Sequence, residues 1–182
     1  EIDNLYKKTF PVLDDSAGEK MQSAILDAKK DGNSVGGVLE TAVVGLPVGI
    51  GEPWFDSVES ALSHALFSIP AIKGVEFGDG FEGAKRRGSE RNDMIISDNG
   101  KTLTNNEGGI NGGIANGNDI VVRVAVKPTP SISVAQPTYN FASGAIEPLT
   151  IGGRHDACIA RRAMVVVEAM VAIALADLSL RA

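Results

Sequence analysis

The stretch that decides the fold is the C-terminal run Ala160–Leu180, with the sequence ARRAMVVVEAMVAIALADLSL. It predicts the longest helix of the chain. Its apolar residues surround the helix almost completely instead of forming a single stripe, a pattern typical of a helix buried on several sides. We therefore predict that this helix lies in the middle of the fold rather than on its surface.

Upstream of this helix, the sequence predicts two further helices and three strands. The helices cover Ser16–Lys30, which Asp31-Gly32-Asn33 stops, and a segment from Asp56 or Ser57 to about Ser68. The strands cover Ser34–Val48, Ile72–Phe77 and Asp119–Val126, with an irregular or hairpin-like segment at Gln136–Thr150. Because strands and helices do not alternate regularly, we predict an α+β fold in which helices pack against or between antiparallel sheets. Since the sequence has neither an internal repeat nor a linker, we expect a single domain over residues 1–182.

Composition and charge restrict the partners of the chain. The net charge of −6 argues against a general nucleic-acid surface, so an anionic ligand needs a local cationic pocket. The single cysteine, Cys158, favours a reducing compartment such as the cytoplasm. The apolar stretch Ala163–Ala176 is shorter than a membrane span and contains Glu168, so no membrane partner is expected. The start at Glu1 favours a fragment, with a processed or trimmed N-terminus as the alternative.

A glycine-rich segment, Asn105–Gly117 (NNEGGINGGIANG), closes a long polar stretch that begins at Gly88. A glycine costs up to about 1 kcal/mol relative to alanine in a regular element, so this density needs a reason. One interpretation is a flexible surface loop. The other is a backbone that takes positive φ values or that another group approaches closely, with N–H groups able to form an anion-binding concavity. The residues alone leave both interpretations open.

Two more polar clusters follow the last strand and precede the last helix. Lys127–Ser131 (KPTPS) offers a positive charge, hydroxyl groups and carbonyl groups that the prolines leave unpaired, which suits a phosphate or the edge of a heterocycle. A solvated strand end is the alternative. In Gly152–Cys158 (GGRHDAC), Arg154, His155 and Asp156 suit general acid–base chemistry. The alternative is that Asp156 caps the last helix and pairs with Arg154.

Other charged or reactive residues have plainer interpretations. We expect Lys85, Arg86, Arg87 and Arg91 on a solvated face, with a role at the mouth of an anionic site as the alternative. His64 falls within an apolar helical pattern and is expected at the edge of the core. Cys158 is expected to pack as a small apolar residue rather than to act as a nucleophile. No metal site is expected.

Taken together, these segments resemble the chorismate synthase family. The resemblance covers residues 10–182 and is specific because all the segments occur in one chain. The segments that carry it are SVGGVLE (34–40), GLPVGIGEP (45–53), SHALFSIPAIKGVEFGDGF (63–81), GSERND (88–93), TNNEGGINGGIANG (104–117), VAVKPTPSI (124–132), GGRHDAC (152–158) and VVEAMVAIALAD (166–177).

The resemblance implies a fold and an activity. The fold is a β-α-β sandwich, with helices packed between antiparallel sheets, of which this chain resembles the C-terminal part. The activity is a phosphate lyase reaction of aromatic amino acid biosynthesis (the shikimate pathway). It is the anti-1,4 elimination of phosphate from 5-enolpyruvylshikimate 3-phosphate to give chorismate. It requires reduced FMN without net redox change, and the family's enzymes are typically homotetramers.

The resemblance also implies site residues. Asp156 matches an aspartate that the family places near the flavin N5, suited to proton transfer, while the role of His155 stays open. Ala157 departs from the family's usual proline, as does the start of the last helix, so the entry to that helix is expected to shift slightly. The implied flavin contacts are Pro70, Ala71, Gly112, Lys127, Pro128, Thr129, Pro130, Ser131 and Arg154.

The N-terminal half that the resemblance implies is absent from this sequence. In the family, that half carries a Ser-His-Gly stretch, a second catalytic histidine and several substrate-binding arginines. We therefore expect little or no elimination activity from this chain alone. Two other classes stay open: a non-catalytic module that binds flavin or phosphate, and a folding unit that only self-associates.

Overall fold

The computed structural model describes residues 2–181, and these divide into two compact units. Unit 1 contains the residues up to Gly36 together with Pro128–Ile159. Unit 2 contains Gly37–Lys127 together with the residues from Ala160 onward. The single domain expected over residues 1–182 stays a prediction.

The elements follow the order that the sequence predicts. Short 3-10 helices cover Ile2–Lys7 and Trp54–Asp56. The α-helices are α1 (Asp15–Lys30), α2 (Val58–Phe67), α3 (Gly80–Gly83), α4 (Gly88–Arg91) and α5 (Ala160–Arg181). The strands are β1 (Gly37–Val43), β2 (Ile72–Phe77), β3 (Ile110–Asn111), β4 (Ile114–Ala115), β5 (Ile120–Val126), β6 (Gln136–Asn140) and β7 (Ala145–Leu149).

Unit 2 is built on a three-stranded antiparallel sheet with β5 in the centre, between β1 and β2. Alternate residues of β5 are buried, as expected for a strand with one face on the core: Ile120, Val122, Val124 and Val126. On the other face, Arg123 lies opposite both Glu40 of β1 and Glu76 of β2 and donates hydrogen bonds to both carboxylates. The charged residues therefore fix the register of the two outer strands across the central one.

The predicted strands at Ile72–Phe77 and Asp119–Val126 are confirmed, the second with a start one residue later. The predicted strand Ser34–Val48 is wrong in length, because β1 covers only Gly37–Val43. It ends at Val43, opposite the first residue of β5, and beyond it Gly45 and Gly49 take positive φ values of 76° and 97°, outside the extended region. The irregular segment expected at Gln136–Thr150 forms the hairpin β6–β7 in unit 1.

Local capping explains the bounds of α1 and α2. Asp14 accepts hydrogen bonds from the N–H groups of Ser16 and Ala17 at the start of α1. Gly32, with φ of 65°, ends the same helix, where the Asn33 N–H reaches the carbonyl of Ala28 at 2.8 Å. Ser57 caps α2 by accepting a hydrogen bond from the Ser60 N–H at 3.0 Å. Both helices are therefore confirmed.

α2 buries one apolar face. Val58, Leu62 and Leu66 are buried, and the helix packs against α5 and β2. His64 is exposed and lies beside α5, in a groove whose walls also include Ser60 and Asp177. This position outside the core agrees with the expectation for His64.

The long helix α5 is buried on one side only, so the prediction of burial on several sides is wrong. Its buried residues recur along one face that packs on α2 and β1: Ala160, Val167, Val171, Leu175 and Leu178. Val165, Ile173 and Leu180 are 65%, 60% and 88% exposed. The physical reason is that α2 and the sheet supply neighbours on a single side of this helix.

The length of α5 also overturns one argument made from the sequence. The whole helix has 22 residues and a mean hydropathy of 2.1 in its most apolar window, long and apolar enough to cross a membrane by length and composition alone. The same properties occur in core helices of soluble proteins, and α5 buries one face against α2. Length therefore does not decide between the two.

Candidate functional site

The glycine-rich segment is a closely packed turn rather than a slack loop. Gly108, Gly109 and Gly113 take φ values of 66°, 81° and 92°, in the left-handed region that favours glycine. A Cβ atom at Gly109 would lie 2.6 Å from the carbonyl oxygen of Asp119, and one at Gly113 would lie 2.7 Å from that of Glu52. These glycines are therefore required because backbone approaches backbone.

Gly112 differs from its neighbours. It lies in the turn between β3 and β4, is exposed and has φ of 58°. Apart from Gly112 itself and its two neighbours in the chain, no described residue has an atom within 4 Å of the position that its Cβ would occupy. Gly112 is thus the glycine of this turn that faces open space, which is the property that a ligand contact needs.

Polar side chains hold the base of this hairpin. Asp93 accepts hydrogen bonds from the N–H groups of Asn106 and Glu107 at 2.8 and 2.9 Å. Arg91 donates from Nε to Asp79 at 3.0 Å and from Nη1 to Glu107. Arg91 is half-buried and pairs with two carboxylates, so the expectation of a solvated arginine is wrong at this position.

The network also sets the ionisation of its carboxylates. Burial raises the pKa of Asp79, but hydrogen bonds from Arg86 and Arg91 outweigh it and hold that pKa below its usual value. Burial likewise raises the pKa of Asp93, and the donors from Glu107, Thr104 and Asn106 outweigh it, so this pKa is also lowered. Both carboxylates are therefore ionised at neutral pH, each surrounded by donors.

Two predicted site residues of unit 2 meet although 56 positions separate them, from Ala71 to Lys127. The Lys127 N–H donates to the carbonyl of Ala71 at 3.0 Å, at the end where β2 joins β5. Ala71 has φ of 76°, a left-handed conformation that costs a non-glycine residue roughly 1–2 kcal/mol. Pro70 and the Lys127 side chain are exposed beside this strained turn. Strain of this kind is often found at ligand sites.

In unit 1, one segment connects the other two predicted clusters. The Ser34 hydroxyl donates to the carbonyl of Thr129 at 2.6 Å, and the Val35 N–H donates to the carbonyl of Ala157 at 2.8 Å. The Pro128–Ser131 cluster and the residue that follows Asp156 are therefore hydrogen-bonded to the same short segment, residues 34 and 35. The sequence did not single out Ser34, because its partners are remote along the chain.

The side chains of these clusters are placed differently. Arg154 and Pro130 are exposed, whereas Asp156 is half-buried. The hydroxyl oxygen of Thr129 is buried and has no hydrogen-bond partner among the described residues. His155 places Nε2 3.3 Å from the carbonyl oxygen of Gly152. Asp156 precedes the first residue of α5, Ala160, by four positions, so it does not occupy the N-cap position of that helix.

The predicted site residues are divided between the units. Unit 2 contains Pro70, Ala71, Gly112 and Lys127, and brings Ala71 and Lys127 together. Unit 1 contains the remaining residues: Pro128, Thr129, Pro130, Ser131, Arg154 and Asp156. Sequence reasoning did not assign the anchoring role of Asp93, whose partners lie 11 to 14 residues further along.

The described chain is thus an α+β protein with an antiparallel sheet and polar, glycine- and proline-rich segments at its strand ends. The model of the chorismate synthase family matches residues 1–180. The chorismate synthase of Chitinophaga pinensis is 56% identical over 90% of this chain and 48% of its own length. That of Dehalococcoides mccartyi is 53% identical over 98% of this chain and 50% of its own length.

A solved structure gives the same answer. A crystal structure of chorismate synthase superposes with a TM-score of 0.72 at 37% identity, over 91% of this chain and 43% of the solved chain. The chain belongs to the chorismate synthase family. It spans about half the length of the curated relatives that it matches.

Gly112, which faces open space, and Gly109, which faces backbone, should differ in the stability that is lost when each is replaced by alanine. Gly112→Ala should lower the free energy of unfolding by about 1 kcal/mol, the cost of a left-handed alanine. Gly109→Ala should lower it by about 3 kcal/mol or more, because the Asp119 backbone must also move. Urea denaturation followed by far-UV circular dichroism measures both, and equal losses would contradict the packing described above.

The lowered pKa values predict acid sensitivity. A carboxylate with a lowered pKa in the folded state stabilises the fold above its usual pKa, and this contribution is lost as the pH falls below that value. The free energy of unfolding should therefore fall as the pH is lowered from about 5 to about 2, and less steeply in Asp79→Asn than in the wild type. Urea denaturation over this pH series gives the two slopes. Identical slopes would show that Asp79 does not contribute.

Proposed function

We propose that this chain is a part of a chorismate synthase that contributes flavin contacts. The reaction is the anti-1,4 elimination of phosphate from 5-enolpyruvylshikimate 3-phosphate to give chorismate, with reduced FMN. The observation that supports this best is the hydrogen bond between Lys127 and Ala71. It joins two segments, remote in sequence, that the family resemblance assigns to the same cofactor.

The described residues suit this cofactor. A flavin mononucleotide has a planar ring with polar edges and an anionic phosphate. Lys127 offers an exposed cation, and Gly112 leaves open space in front of its backbone. The buried Thr129 hydroxyl has no hydrogen-bond partner among the described residues, so it is able to donate a hydrogen bond to a ligand. Reduced FMN, when bound, would lend electron density to the reacting bonds and recover it without net redox change.

The chain's own residues have separable roles in the proposal. The elimination breaks one C–H bond and one C–O bond, forms a double bond, and releases a proton and phosphate. Asp156 is half-buried and can hold the departing proton on its carboxylate. Arg154 is an exposed cation suited to the negative charge of a phosphate. Lys127 adds a second cation in a chain of net charge −6.

The proposal extends to partners and location. The substrate is 5-enolpyruvylshikimate 3-phosphate, the assembly is a homotetramer and the compartment is the cytoplasm, as the family resemblance implies. A second candidate is a folding unit that self-associates without catalysis. The exposed apolar residues of α5, among them Val165 and Ile173, favour this candidate.

The cofactor role predicts a titratable effect. Titration with reduced FMN under anaerobic conditions should give a saturable spectral change. Lys127→Gln should raise the Kd about tenfold through the loss of one charge-assisted contact. Lys101→Gln, which removes an equally exposed charge elsewhere in unit 2, is the control and should bind like the wild type. Equal affinities for all three proteins would exclude the role of Lys127, and no spectral change would favour the folding unit.

The partial length predicts low turnover. The 182 residues match about half the length of the curated relatives, and the family resemblance assigns a second catalytic histidine and substrate-binding arginines to the other half. Incubation with 5-enolpyruvylshikimate 3-phosphate and reduced FMN should therefore give little or no chorismate, as followed by chromatography of the products. Formation of chorismate at the rate of a full-length relative would refute this expectation.

A further inference from the structure

Asp93 makes an unusually complete set of contacts to one short segment. Its Oδ1 atom accepts hydrogen bonds from the Thr104 hydroxyl at 2.7 Å, the Asn106 N–H at 2.8 Å and the Asn106 side-chain amide at 2.9 Å. Its Oδ2 atom accepts one from the Glu107 N–H at 2.9 Å. One carboxylate thus fixes both the backbone and the side chains of residues 104–107.

A second set of contacts holds the same segment from the same side. The Asn106 side-chain amide donates to the carbonyl of Arg91 at 2.8 Å, and the guanidinium of Arg91 pairs with Glu107. The Asp79 N–H donates to the carbonyl of Asn106 at 2.8 Å. The Arg86 guanidinium also donates to the side-chain oxygen of Asn106 at 2.8 Å, so several hydrogen bonds anchor the segment 104–107 to residues 79–93.

The anchored segment leads directly into the Gly112 hairpin. Gly108 and Gly109 follow it with no room for a side chain, because a Cβ atom would overlap with the Gly78 nitrogen at the first position and would lie 2.6 Å from the Asp119 carbonyl oxygen at the second. The Asn116 N–H then donates to the carbonyl of Gly109 at 2.9 Å, and Ile110 pairs with Ala115 across β3 and β4. Only a few residues, held by these backbone hydrogen bonds, thus separate the anchor from the tip.

We propose that Asp93 is a positioning residue for the Gly112 hairpin. It acts through Asn106 and Glu107 and has no contact with Gly112 itself. The consequence for cofactor binding rests on the proposed function, in which Gly112 contacts the flavin. The opposite side of the hairpin has its own hydrogen bond, which the Val58 N–H donates to the carbonyl of Gly113. Loss of the Asp93 contacts should therefore make the hairpin more mobile without detaching it from the fold.

The test compares Asp93→Asn with Asp98→Asn in the full chain. The first replaces one acceptor oxygen by an amide that faces the Glu107 N–H, whereas the second removes the same charge at an exposed position of the same stretch. Amide hydrogen exchange should become about tenfold faster over residues 105–116 in Asp93→Asn and stay unchanged in β5. Asp98→Asn should exchange like the wild type in both segments.

The same proteins are then titrated with reduced FMN. Asp93→Asn should raise the Kd about fivefold to tenfold, and Asp98→Asn should leave it unchanged. Thr104→Val, which removes one of the four hydrogen bonds to Asp93, should give smaller changes and serves if Asp93→Asn does not fold. Unchanged exchange over residues 105–116 would overturn the proposal outright.

The two readouts separate this proposal from the proposed function. Faster exchange with an unchanged Kd, in a wild type that binds FMN, would overturn the role of Asp93 toward the cofactor. A wild type without any FMN binding would contradict the proposed function. In that case the exchange data alone decide whether Asp93 positions the hairpin.

Discussion

The constraint on which unit 2 depends is the close approach of three backbone segments beside the central strand. The Gly78 N–H donates to the carbonyl of Val121 at 2.9 Å, and the Val121 N–H donates to the carbonyl of Gly108 at 3.3 Å. A side chain at Gly78 or Gly108 would overlap with the backbone of the other segment. The end of β2, the start of β5 and the glycine-rich turn therefore share one compact junction, and the polar network of Asp79 is built on it.

Features with short-range causes could be predicted from the sequence. The end of α1 at Gly32, the cap of α2 at Ser57 and the alternation in β5 each depend on a few adjacent residues. The arginine network could not be predicted in the same way. Arg91 looks like a surface residue in a basic run, and only the fold brings Glu107 and Asp79 to it. Solvated and paired arginines have the same local sequence.

In the candidate site, too, some residue properties could be predicted from the local sequence and others could not. Glycine density left a flexible loop and a closely approached backbone equally open, and it could not distinguish Gly112, which faces open space, from Gly109, which faces a carbonyl. Ala71 has a left-handed backbone conformation, which the presence of an alanine in the sequence does not predict. The resemblance to a family assigned both Gly112 and Ala71 to a cofactor, whereas residue chemistry alone pointed to neither residue individually.

The apolar pattern of the long helix α5 was read correctly from the sequence, but the burial predicted from that pattern was wrong. Apolar residues all round a helix indicate that apolar partners exist on more than one side. In unit 2 the partners are α2 and β1, and they cover a single face. The apolar side chains on the other face remain in contact with water. Covering them would contribute roughly 25 cal/mol of favourable free energy per Å² of apolar surface buried. A sandwich with helices between two sheets covers both faces, and unit 2 contributes one sheet of three strands. The sequence of α5 is therefore consistent with the family fold, and its exposed residues mark the face that this sheet does not reach.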